Sequence, residues 1–342
     1  MTARTSARPP RRTLLAAAGT GLALALAACG GASDDAASGG STAGSTTGST
    51  TESTTGSTSE ATAGGTDAAA AFPVTVTSGQ EPDTTEVTID AAPASIVSIS
   101  PSATEMLYAV GAGDQVVAVD SFSYFPEEAP VTDLSGFEPN VEAILGYAPD
   151  LVIASSDPGD LVSALEAAGV PTLLLPSALD IDESYDQIER VGAATGHVEE
   201  AAALTEEMAA DIEAAVASVP EGEALTYYHE LDPSFFTASG DTFIGQVYSL
   251  FGLENIADET GEAYPQLSQE FIVEADPDVV FVTSGDFSDT PEEIEARPGW
   301  EGITAVEDDD VVVVDSDVAS RWGPRVVDFV ESVAAALPEV RE

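Results

Sequence analysis

The stretch VEAILGYAPDLVIAS, residues 141–155, is repeated later in the chain as QEFIVEADPDVVFVTS, residues 269–284. The two copies align without gaps, and Glu142 and Glu270 occupy the same position in each. Each copy has a short helix-like stretch, a Pro-Asp pair and a run of apolar, largely β-branched residues. This pattern predicts a short helix, a turn and a buried strand. Two copies of the unit predict two similar α/β lobes.

Further apolar runs extend this interpretation to the rest of the chain. Predicted strands cover residues 95–100, 115–120, 150–155, 171–176, 224–231, 278–284 and 310–316. Continuous runs of this kind are typical of mainly parallel sheets that are buried on both faces. Between the lobes, residues 197–219 are strong helix formers closed by Pro220, which predicts one long rigid linking helix. Ser102 and Glu105 have the spacing of a capping box and mark an earlier helix start.

The N-terminal segment PRRTLLAAAGTGLALALAAC, residues 10–29, indicates export. Arg11 and Arg12 precede an apolar run that is too short for a good membrane span, and the pair resembles a twin-arginine signal. The run ends in a sequence that resembles a lipobox, which predicts cleavage before Cys29 and a lipid on its sulfur. Cys29 is the only cysteine, so the chain can form no internal disulfide. The alternative is an ordinary signal peptide with a chance cysteine.

These features divide the chain into five expected segments. They are a signal peptide at 1–28, a lipidated cysteine with a disordered Ser/Thr/Gly linker at 29–72, an N-terminal lobe at 73–182, a linking helical segment at 183–220 and a C-terminal lobe at 221–342.

The composition excludes two classes of partner. The chain has 61 acidic residues against nine arginines and no lysine, and its formal net charge is −52. Nucleic acids and anionic membrane surfaces attract clustered Lys and Arg, which this chain lacks. Any membrane association is therefore expected to come through the lipid anchor at the extracellular face of the cell membrane.

The order and spacing of six stretches resemble the ABC-importer substrate-binding proteins for iron–siderophores and vitamin B12, the helical-backbone metal receptors. The stretches are IVSISPSATEMLYAVGAGDQVVAVDSFSYFP, NVEAILGYAPDLVIAS, PSFFTASG, YPQLSQEFIVEADPDVVFV, RPGWEGITAV and SRWGPRVVDFV. The resemblance implies a monomer that is not an enzyme, with a ligand cleft between the lobes. It also implies that Glu142 and Glu270 pair with arginines on an ABC permease dimer, which works with its ATPase.

The stretch SRWGPR, residues 320–325, holds two of the few arginines beside one of two tryptophans. The resemblance places Arg321 in the cleft and aligns Arg325 with a recurrent arginine of this stretch. The guanidinium fork of Arg321 suits carboxylate, phosphate or catecholate oxygens, and Trp322 offers a flat apolar face. The alternative is that the arginines pair with the nearby Asp315, Asp317 or Asp328.

Loops after predicted strands supply further candidates for ligand contact. These are Phe122, Tyr124, His229, Phe235, Phe236 and Tyr264. The alternative for the aromatics is a position in the core, which we expect for at least half of them, and the favoured alternative for His229 is packing or hydrogen bonding. Aromatic faces suit both corrinoids and aryl siderophores. The chain has only two histidines and one cysteine, so a metal site built by the protein is not expected. We expect no cofactor, and any metal is expected to arrive already chelated.

The chain departs from the cobalamin-binding members of the family, which carry additional tryptophans in the N-terminal lobe. Here Phe137 is the nearest aromatic residue. This difference favours a ferric siderophore over cobalamin. Two rival functions are a tethered enzyme, for which no G-x-S-x-G elbow or P-loop is present, and a non-transport sensor that uses the same fold.

Overall fold

The computed structural model describes residues 72–340, apart from 221, 223, 286 and 287. The predicted signal peptide, Cys29 and nearly all of the predicted linker lie outside these residues. In the described part, strands and helices alternate, and no helix there is long and apolar enough to cross a membrane.

All seven predicted strands are present, together with four that the sequence did not reveal. The described strands are β1 (Val74–Gln80), β2 (Asp83–Ile89), β3 (Ile96–Ile99), β4 (Val116–Asp120), β5 (Val131–Leu134), β6 (Leu151–Ala154), β7 (Thr172–Leu174), β8 (Thr226–Glu230), β9 (Glu254–Asn255), β10 (Val279–Ser284) and β11 (Val311–Asp315).

The helices fall between these strands. They are α1 (Pro101–Ala109), α2 (Val141–Leu145), α3 (Leu161–Ala167), α4 (Ile181–Thr195), α5 (Val198–Ser218), α6 (Phe243–Ser249), α7 (Gln269–Ala275), α8 (Pro291–Glu295), α9 (Thr304–Glu307), α10 (Ser316–Ala319) and α11 (Val326–Val340). Short 3-10 turns follow α1, at Gly113–Gln115, and β9, at Asp258–Thr260.

Two parallel sheets form the two halves of the described chain. The first half contains the strand order β5-β4-β3-β6-β7, and the second contains β11-β10-β8-β9. Every pairing within these sheets is parallel, and Val97 pairs with Val152 in the first as Tyr228 pairs with Val280 in the second. The strand orders correspond when the second is read in reverse and β5 is left out. The predicted α/β class with mainly parallel sheets is confirmed.

The repeat has the same geometry in both halves. Ile144 and Ile272 are fully buried, and the residues before the two prolines, Ala148 and Asp276, adopt left-handed φ angles of 50° and 49°. In the first half, Asp150 Oδ2 accepts hydrogen bonds from the backbone N–H groups of residues 94 and 95, at the start of β3. In the second half, Asp278 Oδ2 accepts from the N–H and hydroxyl of Thr226, at the start of β8. The Pro-Asp pair therefore joins neighbouring strands in each sheet.

Two consecutive helices connect the sheets. The long predicted helix is present as α5, which has 21 residues. The preceding helix α4 ends at Gly196, whose φ of 91° suits glycine at a helix C-terminus. A side chain at Gly192 would collide with the Ala201 side chain, so glycine allows α4 and α5 to pack closely. The linking segment is thus a helix pair whose second member is the predicted rigid helix.

One apolar cluster runs through both halves. It contains Ile96 and Met106 of the first half, Ile188 of α4, and Phe281 and Val333 of the second half. Two smaller clusters cover the opposite faces of the sheets. The shared cluster fixes the first sheet relative to the segment that follows β11.

The strands β1 and β2 form a hairpin, which is the one antiparallel sheet in the described residues and was not predicted from the sequence. It has no continuous apolar run because only one face packs on the core, through residues such as Val76 and Ile89. Ser78 Oγ accepts a hydrogen bond of 2.8 Å from the Leu174 N–H, and Arg190 donates to the Gly79 carbonyl at 2.9 Å. The hairpin therefore covers β7 and α4.

Candidate functional site

A cavity of about 410 Å³ lies between the carboxyl ends of the first sheet and the segment after β11. It is lined by Ile99, Ser100, Pro101, Ser102, Asp120, Phe122, Gly136, Phe137, Ser155, Ser156, Ser177, Asp317, Ser320, Arg321 and Trp322. Carboxyl ends of parallel strands are where ligands are expected in α/β proteins. Of the predicted ligand contacts, Arg321, Trp322 and Phe122 lie in the cavity wall.

A larger groove, of about 900 Å³, runs along β2 on another surface of the first half. Its wall comes from β2 and from residues around Pro149, Val162 and Pro171, with no arginine or aromatic side chain. None of the predicted ligand-contact residues lines this groove. The smaller cavity therefore is the candidate site.

Arg321 is nearly buried, and its guanidinium is already paired. Its Nη1 donates to Glu105 Oε1 at 2.9 Å, and its Nη2 donates to the Phe122 carbonyl and to Asp317 Oδ1, both at 3.1 Å. The Tyr124 ring lies 5.0 Å from the guanidinium carbon. Arg321 therefore faces the cavity with its charge compensated.

Arg325 binds the same glutamate and is not part of the cavity wall. Its Nε donates to Glu105 Oε2 at 2.9 Å and its Nη2 donates to Oε1 at 2.6 Å. Its guanidinium carbon lies 4.2 Å from the centre of the Phe125 ring. The hydrogen bonds and the coulombic attraction of Glu105 raise the pKa of Arg325, so it stays charged. The main partner of both arginines is thus Glu105, which belongs to the other half of the chain. Of the three nearby acids named as alternatives, Asp315, Asp317 and Asp328, Asp317 forms a described ion pair with Arg321.

Glu105 has a different role from the capping box that its spacing predicts. The helix α1 begins two residues earlier: the Ser100 hydroxyl accepts from the Ala103 N–H, and Pro101 occupies the first turn. Glu105 consequently lies in the second turn, where its side chain is turned inward and only 1% exposed. The pairing of this residue with Arg321 and Arg325 was not predicted, because both partners are more than 200 residues away in the sequence.

Trp322 is half-buried, and both its polar groups are engaged by α4. The indole Nε1–H donates to Gln187 Oε1 at 3.0 Å, and the backbone carbonyl accepts from the Ser184 hydroxyl at 2.6 Å. These bonds fix the ring so that part of its face lines the cavity. The arrangement leaves the indole an apolar surface for ligand.

Asp120 and Asp317 form the acidic part of the cavity wall, and Tyr124 lies behind them. Asp120, at the end of β4, is buried and accepts from the Ser123 hydroxyl, and burial raises its pKa above the usual value. The Tyr124 hydroxyl donates to Asp317, and this hydrogen bond raises the pKa of Tyr124. Tyr124 therefore supports Arg321 and Asp317 and does not itself line the cavity wall.

The mouth of the cavity is apolar. Phe122 and Phe137 pack edge to face with 5.8 Å between ring centres, and Phe137 is 77% exposed. Phe137 was noted in the sequence only as a poor substitute for tryptophan. Six serines line the interior: Ser100, Ser102, Ser155, Ser156, Ser177 and Ser320. The sequence did not identify these serines as site residues, because serine is common in loops that follow strands whether or not the loop lines a site.

The remaining aromatic candidates lie elsewhere in the second half. Phe235 packs against Trp300 with ring centres 6.2 Å apart, and the Arg297 guanidinium lies over its ring. Phe236 and Tyr264 are exposed, on the strand-like bridge beside Gln266 and in a loop, and none of the three lines the cavity. Phe235 and Phe236 lie away from the cavity because the loop after β8 folds onto its own half, and Tyr264 belongs to the later loop that follows the 3-10 turn Asp258–Thr260.

His229 lies in the core of the second half, away from the cavity wall. It is fully buried, its Nδ1 is 2.8 Å from the Tyr248 hydroxyl, and its Nε2 has no partner. Burial lowers its pKa to about 3, so the ring is neutral. Its inward orientation follows from β8, where Tyr227 and His229 point to the same buried face.

Glu142 and Glu270 are exposed, each in the first turn of its helix of the repeat. Asn140 and Ser268 cap these helices by accepting from the N–H three residues on. The two carboxylates therefore occupy equivalent, solvent-facing positions. Among the described residues, no cluster of His, Cys, Asp and Glu is arranged to hold a metal ion.

Known proteins resemble the chain over most of the described part. A sequence model described as periplasmic binding protein matches residues 96–318. An uncharacterized ABC transporter substrate-binding lipoprotein, YvrC of Bacillus subtilis, is 34% identical over 277 residues, covering 78% of this chain and 86% of the relative. A cobalamin-binding protein of Halobacterium salinarum is 35% identical over 286 residues, covering 79% of this chain and 76% of the relative.

A solved structure has the same fold. A possible iron-binding periplasmic solute-binding protein of Staphylococcus epidermidis superposes with a TM-score of 0.63 at 26% identity, covering 72% of this chain and 99% of the other. The relatives named here are binding proteins, which agrees with the expectation that the chain is not an enzyme.

Proposed function

The chain belongs to the periplasmic binding protein family, and we propose that it captures a neutral corrinoid of the cobalamin type and delivers it to an ABC permease. The single observation that carries the choice of ligand is the compensated charge of Arg321. Glu105 and Asp317 both pair with this arginine in the cavity wall. An anionic chelate would have to compete with two carboxylates that are already in place.

The rest of the cavity suits a large amide-bearing macrocycle. Serine hydroxyls both donate and accept hydrogen bonds, as the carboxamide arms of a corrinoid require. Trp322, Phe122 and Phe137 offer apolar surface for a flat ring system. A cavity of about 410 Å³ encloses one part of such a ligand and leaves the rest at the mouth, where Phe137 is exposed. The 35% identical cobalamin-binding relative supports the same choice.

A ferric siderophore is the second candidate. The solved structure described as possibly iron-binding favours it, as does the absence of further tryptophans in the first half. The Phe122–Phe137 pair would hold the aryl arm of a chelate. This ligand would have to be neutral or weakly charged to fit the compensated arginine.

Permease docking is assigned to Glu142 and Glu270. Their exposure at equivalent positions of the two halves supports a contact with a two-fold permease dimer, since both carboxylates can meet the same kind of basic partner. Exposed charge pairs of this type contribute orientation and association rate more than affinity. The permease dimer would act with its ATPase, and the binding protein would act as a monomer.

The anchor is assigned to Cys29, which precedes the predicted Ser/Thr/Gly linker in the sequence. The lipobox-like sequence supports it, and so does the B. subtilis relative, which is described as a lipoprotein. A lipid on Cys29 would hold the protein at the extracellular face of the cell membrane, within reach of the permease. Globomycin treatment should cause the unprocessed form to accumulate if the cysteine is lipidated.

Direct titration tests the choice of ligand. We expect cyanocobalamin to bind the purified protein saturably in calorimetry and to change the fluorescence of Trp322. Trp300 is fully buried in the second half and should contribute a constant background. Binding of a ferric siderophore without any binding of cobalamin would overturn the corrinoid assignment and favour the second candidate.

A further inference from the structure

We infer that Glu105 sets the charge selectivity of the cavity: its buried carboxylate pairs with both Arg321 and Arg325, compensates their two positive charges together with Asp317, and thereby favours neutral ligands over anionic ones. The inference rests on the proposed function in that it concerns the same cavity. It assigns a specificity-determining residue that is itself outside the cavity wall and acts through Arg321.

The geometry makes Glu105 the centre of the charge cluster. Both of its oxygens are used: Oε1 accepts from Arg321 and Arg325, and Oε2 accepts from the Nε of Arg325. The side chain is 1% exposed, whereas those of the two arginines are 7% and 17% exposed. Charge-assisted hydrogen bonds in a site from which water is excluded are stronger than those in solvent.

Asp317 and Asp120 contribute less to the compensation of Arg321. Asp317 is 32% exposed, makes one contact of 3.1 Å with Arg321 and also accepts from the Tyr124 hydroxyl. Asp120 makes no hydrogen bond to either arginine among those described, and burial raises its pKa. Glu105 is therefore the principal group that holds the cavity arginine neutralised.

The motif SRWGPR is built around this carboxylate. Arg321 and Arg325 donate to it, and Gly323 lies between them against helix α1. A side chain at Gly323 would come within 3.2 Å of the Ser102 carbonyl and 3.7 Å of Glu105 Oε2. Glycine at this position lets the motif approach the helix closely enough for both guanidiniums to reach Glu105.

Arg321 cannot turn toward a ligand without weakening this cluster. If it leaves, Asp317 loses its arginine and Glu105 keeps only Arg325; if Glu105 is made neutral, two guanidiniums remain with one acidic partner, Asp317. The isosteric change Glu105→Gln keeps the size of the side chain and removes its charge. It should therefore give the cavity a net attraction for anions.

The experiment compares two probes on the full-length protein: neutral cyanocobalamin and a trianionic ferric tricatecholate. Calorimetry gives both dissociation constants for wild type, Glu105→Gln, Asp317→Asn and Glu254→Gln. Glu254 is an exposed glutamate on the edge strand β9 and controls for overall charge. We expect the ratio of the two constants to shift toward the tricatecholate by about tenfold or more for Glu105→Gln, by about threefold for Asp317→Asn, and by less than about twofold for Glu254→Gln.

A purely structural role for Glu105 would weaken both probes equally and leave the ratio unchanged, and that result with a folded variant would overturn the inference. If Glu105→Gln does not fold, Arg325→Met tests the inference in the opposite direction. Glu105 then pairs with Arg321 alone, and the ratio of the two dissociation constants should shift further in favour of cyanocobalamin. An unchanged ratio in Arg325→Met would then overturn the inference.

A different result tests the proposed function. If wild type binds no cobalamin, the corrinoid assignment is lost, but the affinity for the tricatecholate still has to rise in Glu105→Gln. No binding of the tricatecholate by that folded variant overturns the inference regardless of what wild type binds.

Discussion

Each half of the molecule has a buried glutamate that binds arginine, and the two glutamates do different things. Glu230, at the end of β8, accepts from Arg297, which also binds Asp289, and all three belong to the second half. Arg297 lies over Phe235 and Trp300, 5.2 Å and 4.5 Å from their ring centres. Glu105 of the first half instead binds arginines that follow β11.

The difference concerns what each cluster holds together. The Glu230 cluster packs a loop onto its own sheet and has no contact with the cavity wall. The Glu105 cluster joins the two halves beside the cavity and places one guanidinium in its wall. The same ion-pair chemistry therefore stabilises local structure in the second half. Only the Glu105 cluster, where the two halves meet, places an arginine in the cavity wall.

The largest expected effect concerns the exposed glutamates that occupy equivalent positions in the two halves. Reversing both Glu142 and Glu270 to Arg should reduce cobalamin uptake by cells about 100-fold, because each half would then present a charge that repels the basic docking site proposed for the permease. Either single variant should give an intermediate loss. Ligand binding by the purified double variant should be unchanged. Normal uptake by the double variant would show that these glutamates do not dock the permease.

The next effect separates the two buried glutamates. Glu105→Ala should lower the free energy of unfolding by about 4 kcal/mol and Glu230→Ala by about 3 kcal/mol, since each leaves buried arginine charge without its main partner. Chemical denaturation measures both. Only Glu105→Ala should alter ligand affinity. An equal change in affinity for Glu230→Ala would break the comparison, because it would tie the second cluster to the cavity.

The smallest effect is the pH dependence of stability that His229 of the second half contributes. Burial lowers the pKa of His229 to about 3, from an ordinary value of 6.5. Between these two pH values the unfolded chain binds a proton at His229 and the folded chain does not. The contribution of His229 to the free energy of unfolding is therefore complete above pH 6.5 and is lost as pH falls toward 3. Between pH 6.5 and 5 the loss is about 2 kcal/mol.

Replacing His229 by Phe should remove that part of the acid sensitivity. The test is the slope of unfolding free energy against pH below 6.5, compared between wild type and His229→Phe. Parallel slopes would mean that other groups cause the acid response. Ligand affinity should be the same in both proteins, because His229 lies in the core.

The fold was largely predictable because its information is local. Continuous apolar runs identified seven strands, and the repeat identified the matching units that contain Glu142 and Glu270. The hairpin of β1 and β2 was missed because half of its side chains face solvent, and β9 because it has only two residues. Neither has the apolar run on which the prediction depended.

The site was predictable only in part because it is made by contacts between distant parts of the chain. Of the residues predicted to contact ligand, Arg321, Trp322 and Phe122 lie in the cavity wall, and His229, Phe235, Phe236 and Tyr264 lie outside it. Glu105 was interpreted as a helix cap, since spacing along the chain reveals a local partner and gives no sign of one 216 residues away. Loops after strands can turn either to the cavity or to their own half, and sequence pattern does not distinguish the two.

The apolar cluster that contains Ile96, Ile188 and Phe281 has a consequence for folding cooperativity. If one sheet unfolded by itself, the helices α4, α5 and α11 would lose the apolar surface on one side and expose their own. That exposure costs free energy in proportion to its area, so partly unfolded forms are disfavoured. Heat or denaturant therefore acts on both halves as a single unit, even though the repeated sequence suggests two.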